Sequence, residues 1–177
     1  MYPAKPKVGI RATEANQIWH LDVTVIRLLD GSKVFLHAVI DNFSRRILAW
    51  QLCQKLDPTT TVTVLREAAS EVVGIPTLVT DSGVENVNGE VDAMVEETVI
   101  RRVLALVEVS YSNSVVEAYW RSLKNQWLYL NSLDSFEAVK KLVAFHVDEH
   151  NSVMPHSAFR GQTPDEPVLL QGRGRGR

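Results

Sequence analysis

One cysteine, Cys53, is too few for an internal disulfide. It stands in an apolar segment, where a small buried thiol is the simplest role. No apolar run reaches membrane-spanning length, and the first residues lack a signal-peptide core. These absences exclude a membrane-spanning helix and a disulfide-stapled secreted module, so a cytoplasmic chain is expected. Asn42-Phe43-Ser44 matches a glycosylation acceptor, which means nothing without secretion. Net charge is also small: 19 Lys and Arg against 21 Asp and Glu give −2. A uniformly basic nucleic-acid surface is thereby excluded, although a local patch is not. Basic residues do gather, at Arg45-Arg46, Arg101-Arg102, Arg121 with Lys124, Lys140-Lys141, and Arg173, Arg175 and Arg177. Each group reads equally as a solvated face.

What is present fits one domain. The 177 residues are 45% hydrophobic and 23% charged, enough to bury a core. Residues 1–15 read as an extended leader or linker, 16–168 as the folded core, and 169–177 as a flexible Gly-Arg tail. Residues 18–29 and 33–41 are rich in Val, Ile, Leu and Phe and are joined through Asp30-Gly31, a strong hairpin signal. A third such run, 46–53, completes a meander. Asp57-Pro58-Thr59 opens a helix with Pro in its first turn, and Val62, Leu65, Ala68, Ala69 and Val72 mark its buried stripe, with Gly74 ending it.

Residues 76–80 read as a short buried strand, 82–89 as a mobile loop, 90–98 as a short helix and 100–107 as a strand. Val116, Trp120, Leu123, Trp127 and Leu130 recur at spacings of four and three, which predicts a helix over 114–130. A further helix over about 135–150 starts at Asp134, with Glu137 three residues on as a capping box. The order βββαβαβαα predicts an α/β sandwich built on a mixed five-stranded sheet.

Three carboxylates stand out against this frame. Asp22 lies mid-strand among Leu21, Val23 and Val25, where a charge is costly unless it is paired or binds metal. The alternative is an exposed place on a half-solvated strand. Asp81 ends a strand before a Gly-containing loop, where α/β proteins place ligand-binding groups; a plain turn Asp is the alternative. Glu117 follows Ser114 by three residues and could merely cap its helix. Arg121 and Lys124, four and seven residues on, share its face. A metal ligand flanked by phosphate-binding cations fits that face, and so does a simple Glu-Arg pair. His146-Val147-Asp148-Glu149-His150 matches an inverted zinc-protease pattern, with Glu166 as the downstream carboxylate for a third ligand. The simpler reading has His146 packing its helix and His150 polarising the helix end.

Several strings resemble one family. Asn16 to Thr24, with Trp19-His20-Leu21-Asp22, is similar to the first motif of insertion-sequence transposases with a retroviral-integrase-like core. Ile40-Asp41-Asn42-Phe43-Ser44-Arg45-Arg46-Ile47 resembles their second-strand signature. Thr80-Asp81-Ser82-Gly83-Val84-Glu85 resembles the second catalytic motif, and Asn113 to Lys124 the third. His150-Asn151, Met154-Pro155-His156 and Thr163-Pro164-Asp165-Glu166 resemble the C-terminal signature. The resemblance spans roughly residues 11–168. The motifs are weak singly, and five in order are specific. Ser112-Asn113 stands where the family often has Asp-Asn, and His150-Asn151 and Met154-Pro155-His156 where it often has Tyr-Asn and Arg-Pro-His. Those departures bear on contacts to the substrate strand, not on the carboxylates.

The resemblance implies an RNase-H-like integrase core that performs DNA strand cleavage and strand transfer in transposition. It implies two Mg²⁺ or Mn²⁺ ions held by the Asp-Asp-Glu triad Asp22, Asp81 and Glu117, with Lys124, Arg121 and Asn113 contacting DNA. The implied partners are DNA ends and target, and a homodimer or higher homo-oligomer when active, with no membrane, in a bacterial-type cytoplasm. The N-terminal helical DNA-binding region usual in such transposases has no counterpart here, so the chain is expected to be a catalytic core set apart from it. The rival class is a catalytically silent core that binds DNA or mediates assembly.

Overall fold

The computed structural model describes residues 11–70, 72, 76–80, 101–104 and 114–166, with 101–104 and Ser114 described by backbone alone. The expected loop 82–89, the helix 90–98 and the tail 169–177 lie outside the described residues, as do Asp81 and Asn113.

The meander forms as its alternation of apolar residues requires. Strand β1 (Ile18–Arg27) pairs antiparallel with β2 (Lys33–Asp41), and β2 pairs antiparallel with β3 (Ile47–Cys53). Gly31, at φ +86°, turns the first hairpin, a conformation that costs glycine little. Asp30 Oδ1 accepts the Ser32 N–H at 2.8 Å and closes the same turn. On the other side of β1, strand β4 (Thr77–Thr80) runs parallel to it and β5 (Arg101–Leu104) runs parallel to β4. The order β3-β2-β1-β4-β5 is a five-stranded mixed sheet, and β1 is its middle strand. Cys53 ends β3 half-buried, its thiol against the Phe35 carbonyl, so it is less enclosed than its apolar setting predicts.

Each sheet face carries its own core. Helix α1 (Pro58–Ser70) starts as the sequence predicts, with Asp57 Oδ1 accepting the Thr59 N–H at 2.9 Å. It covers one face, where Val62, Leu65 and Ala68 pack on Trp19, Leu21, Val39 and Leu78. The opposite face carries α2 (Ser114–Gln126) and α3 (Phe136–Ser152). There Val116, Trp120, Leu123, Val139 and Val143 pack on Ile26, Leu36, Ala38 and Ile40.

Two helix ends differ from expectation. Helix α2 stops at Gln126 rather than Leu130, because Trp127 leaves helical backbone geometry at φ −136° and ψ −67°. Its indole N–H donates to the Leu142 carbonyl at 2.9 Å and its ring stacks on Phe145, so a contact to α3 outweighs continued helix. Leu130, the expected last member of the buried stripe, is 75% exposed in a short 3₁₀ turn. Helix α3 is capped by Ser135, whose hydroxyl accepts the Ala138 N–H, and not by Asp134, which takes the Ser132 hydroxyl.

The end of α3 is fixed to the β2–β3 turn. Asn151 accepts the Ile47 N–H at 2.9 Å and donates to the Ile47 carbonyl at 3.0 Å, as a neighbouring strand would. His150 Nε2 donates to the Arg45 carbonyl at 2.9 Å, and Arg46 pairs with Asp165 at 2.7 Å. Replacing Asn151 with Ala removes both Ile47 bonds and should cost about 1–3 kcal/mol. A urea titration should show a lower midpoint at unchanged slope; an unshifted midpoint would show that the clamp adds nothing to stability.

Candidate active site

Asp22 sits at the centre of the sheet. It pairs in register with Ala38 and so faces α2 and α3. β1 is also where the sheet changes from antiparallel to parallel pairing, the kind of place where α/β proteins bind ligands. The parallel register runs Ile18↔Thr77, Trp19↔Leu78 and His20↔Val79, and β4 ends at Thr80. Asp22 therefore lies where its neighbour strand stops. The residue is half-buried, not exposed on a solvated strand.

Its carboxylate is gripped from the facing helix. The Trp120 indole N–H donates to Asp22 Oδ2 at 2.9 Å. Read along the sequence, Trp120 is one member of an apolar stripe; the signal for more is that a buried indole N–H needs a partner. Lys124, one turn on, lies close enough for its charge to be felt. Burial pushes the Lys124 ammonium down from its usual range, and the Asp22 charge opposes that shift.

Glu117 is exposed in the first turn of α2. Three residues before Trp120, its backbone stands about 4.5 Å along the helix axis from that of the residue whose indole holds Asp22. No ion pair joins it to Arg121, which is also exposed, so the simple Glu-Arg pair is not what the helix builds. Among the described residues no three His, Cys, Asp or Glu form a metal-binding group, and Asp81 is not among them. Asp22 and Glu117 are hard oxygen donors of the kind Mg²⁺ and Mn²⁺ take. An N–H holding one oxygen of such a carboxylate is a support metal ligands commonly have.

The family model described as an integrase core domain matches residues 12–106, and a second model of the same description matches 104–164. The chain belongs to the integrase core domain family. Its sequence is similar to that of insertion-sequence transposases. An Escherichia coli (strain K12) protein assigned as transposase InsK of insertion sequence element IS150 is 25% identical over 158 residues, covering 88% of this chain and 56% of its own length. The transposase of IS904 from Lactococcus lactis subsp. lactis (strain IL1403) is 21% identical, covering 88% and 62%. This integrase core thus spans little more than half the length of those relatives. The HTLV-2 integrase catalytic core domain, solved in complex with magnesium, superposes at a TM-score of 0.69 with 20% identity, over 89% of this chain and 99% of that one. The BIV integrase core superposes at 0.68 with 14% identity, over 92% and 99%. The RNase-H-like fold is therefore shown. No helix among the described residues is long and apolar enough to cross a membrane.

Other motifs of this integrase core turn out to be architectural. Asp41, fully buried, accepts the Ser44 N–H and hydroxyl and the Asn16 N–H. Asn42 joins His20 at 2.8 Å and accepts the Ala12 N–H. With the Asn151 and His150 bonds, the second-strand and C-terminal signatures form one turn-and-clamp unit. Lys140 and Lys141 are both exposed on α3, a solvated face.

The zinc pattern fails on geometry. His146 is buried against Tyr119, whose hydroxyl lies 3.5 Å from its Nδ1, while His150 reaches the Arg45 carbonyl instead of polarising the helix end. Glu166 takes the Thr163 N–H.

Burial pushes His146 down to about 4, and His37, enclosed beside Thr61, also to about 4. Both rings stay neutral when folded but protonate below about 6.5 when unfolded. The unfolded chain then holds more protons between pH 6.5 and 4, so stability is full above that window and falls as pH falls through it. Urea unfolding from pH 7.5 to 4.5 should show the fall, shallower in His146→Gln. Identical pH profiles for the variant and the parent would contradict a neutral buried His146.

Proposed function

We propose that this integrase core performs metal-dependent DNA strand cleavage and strand transfer, with Asp22, Asp81 and Glu117 as its metal-binding carboxylates. The observation that carries the reading is the Trp120–Asp22 hydrogen bond, which draws the third motif onto the first across the middle of the sheet. The β1–β4 register supports it too: His20 pairs with Val79 and β4 ends at Thr80, so the strand that precedes the second motif in the sequence runs beside the strand that carries Asp22. The insertion-sequence transposases that the chain matches, and the magnesium complex of the HTLV-2 integrase core, favour the same chemistry.

Two Mg²⁺ or Mn²⁺ ions at these carboxylates would supply the charge that activates the attacking oxygen and stabilises the leaving oxygen of an in-line displacement. The chain's own part is positioning. Trp120 fixes the Asp22 carboxylate through its Oδ2. Lys124 keeps a cation beside Asp22, placed to meet a DNA phosphate next to the scissile bond, and exposed Arg121 offers a second contact. Asn113 completes this DNA-binding set. No covalent enzyme intermediate is required. Joining two DNA ends calls for at least a homodimer, and the HTLV-2 core has been solved in dimeric and trimeric forms.

The direct test is Asp81→Asn, which removes a ligand charge and little volume. It should abolish Mn²⁺-dependent nicking and strand transfer in a preparation shown to be active, with the circular dichroism spectrum unchanged. Retained activity would exclude Asp81 from the role. A second test addresses the grip on Asp22. Trp120→Phe keeps the ring and deletes the N–H, and should weaken Mn²⁺ binding about 10–100-fold. Calorimetry and the loss of one indole N–H resonance read this without any turnover. Unchanged Mn²⁺ affinity would leave the indole a purely structural part.

A further inference from the structure

A groove of about 430 Å³ runs between α2, the end of α3 and the β2–β3 turn. That is within the size range of small-molecule sites, roughly 300–1,000 Å³. It is not the carboxylate site. Val115, Ala118, Ser122 and Gln126 line it from a stripe of α2 whose mean direction lies about 140° round the helix from that of Glu117, Arg121 and Lys124.

The groove is rich in donors, and no Asp or Glu is among its described lining residues. Arg45 is one of them. Its backbone is fixed at both ends, the N–H on the Asp41 carbonyl and the carbonyl on His150. Its guanidinium Nη1 is buried with no hydrogen-bond partner. The nearby Asp41 does not fill that need, since its oxygens hold Ser44 and Asn16. A buried cationic N–H without an acceptor is costly, and natural structures rarely keep one without use.

The neighbouring groups add to it. His156 Nδ1 accepts the Ala158 N–H, so in the neutral ring the proton sits on Nε2 and makes that atom a donor. Ser122 donates to Gln126 Oε1, which leaves the Gln126 amide N–H groups for a ligand. The remaining wall is apolar or flat: Ile40, Val115, Met154, Pro155 and the His150 ring.

We propose that this groove is a second ligand site, taking a phosphate monoester carried on a flat ring body, of which a mononucleotide is the type. The phosphate meets Arg45 and His156, the ring lies along Met154 and Pro155, and Gln126 reads a ring edge. The site is independent of the metal-dependent reading.

The test is a titration of the chain in EDTA with thymidine 5′-monophosphate, thymidine and inorganic phosphate, following the side-chain ¹⁵N resonances of His150 and His156. The expected result is binding of the monophosphate at least tenfold tighter than either fragment, with shifts at both rings. Arg45→Gln should weaken it at least tenfold. Ala118→Trp fills the groove from an exposed helix position and should abolish it with the backbone spectrum preserved, so the test stands even if Arg45→Gln fails to fold. Absent ring shifts, equal affinity for thymidine, or binding undiminished in Ala118→Trp would each overturn the proposal. Displacement of the monophosphate by a 5′-phosphorylated oligonucleotide, but not by its unphosphorylated form, assigns the site to strand ends. No displacement assigns it to free nucleotides.

Discussion

The Trp120 indole N–H reaches across from α2 to Asp22 on the middle strand, and much of the site's geometry hangs on that bond. It fixes the rotation of α2 about its own axis, because an indole that donates to Asp22 leaves Glu117 and Lys124 one turn to either side. It also makes a carboxylate tolerable in mid-sheet. A half-buried charge among apolar neighbours is stabilised by an N–H on one oxygen and by the Lys124 cation nearby. Packing of Val116, Trp120 and Leu123 against Ala38 and Ile40 holds the helix at the distance the bond needs.

The second organising feature is the clamp of the C-terminal signature on the β2–β3 turn. Asn151 supplies the backbone of Ile47 with the partners an added strand would give it, and Arg46–Asp165 closes the same corner. This clamp seats the end of α3 next to α2, so the groove beside Arg45 is a product of the same contacts. One helix, α2, then separates two chemically different surfaces: carboxylates with a lysine on one side, and a row of donors with no acid among its described residues on the other.

Much of the fold was legible along the chain. The meander, α1 with its Asp57-Pro58 start, and the sheet of five strands follow from apolar alternation, a hairpin Gly and a capping Asp, all local signals that act within a few residues. The helix ends were less legible. Trp127 gives up helix for a carbonyl of α3, and Ser135 rather than Asp134 caps the next helix, because partners far along the chain or a one-residue shift of geometry decide such ends. Of the candidate site, Asp22 and Glu117 could be singled out by residue type and spacing, whereas Asp81 and Asn113 lie outside the described residues.

The sequence by itself determined the strand and helix periods, the family motifs and the carboxylates worth weighing, because those are properties of neighbours in the chain. Only the tertiary structure decided what the other motif residues do. Periodicity files Trp120 as core, yet its one polar atom finds Asp22, 98 positions away in the chain. His146 and His150 sit at zinc spacing, yet one is enclosed by Tyr119 and the other is drawn to the Arg45 carbonyl. A hydrogen-bonding group in the interior must find a partner wherever packing offers one, and packing brings together residues whose separation along the chain carries no trace of it.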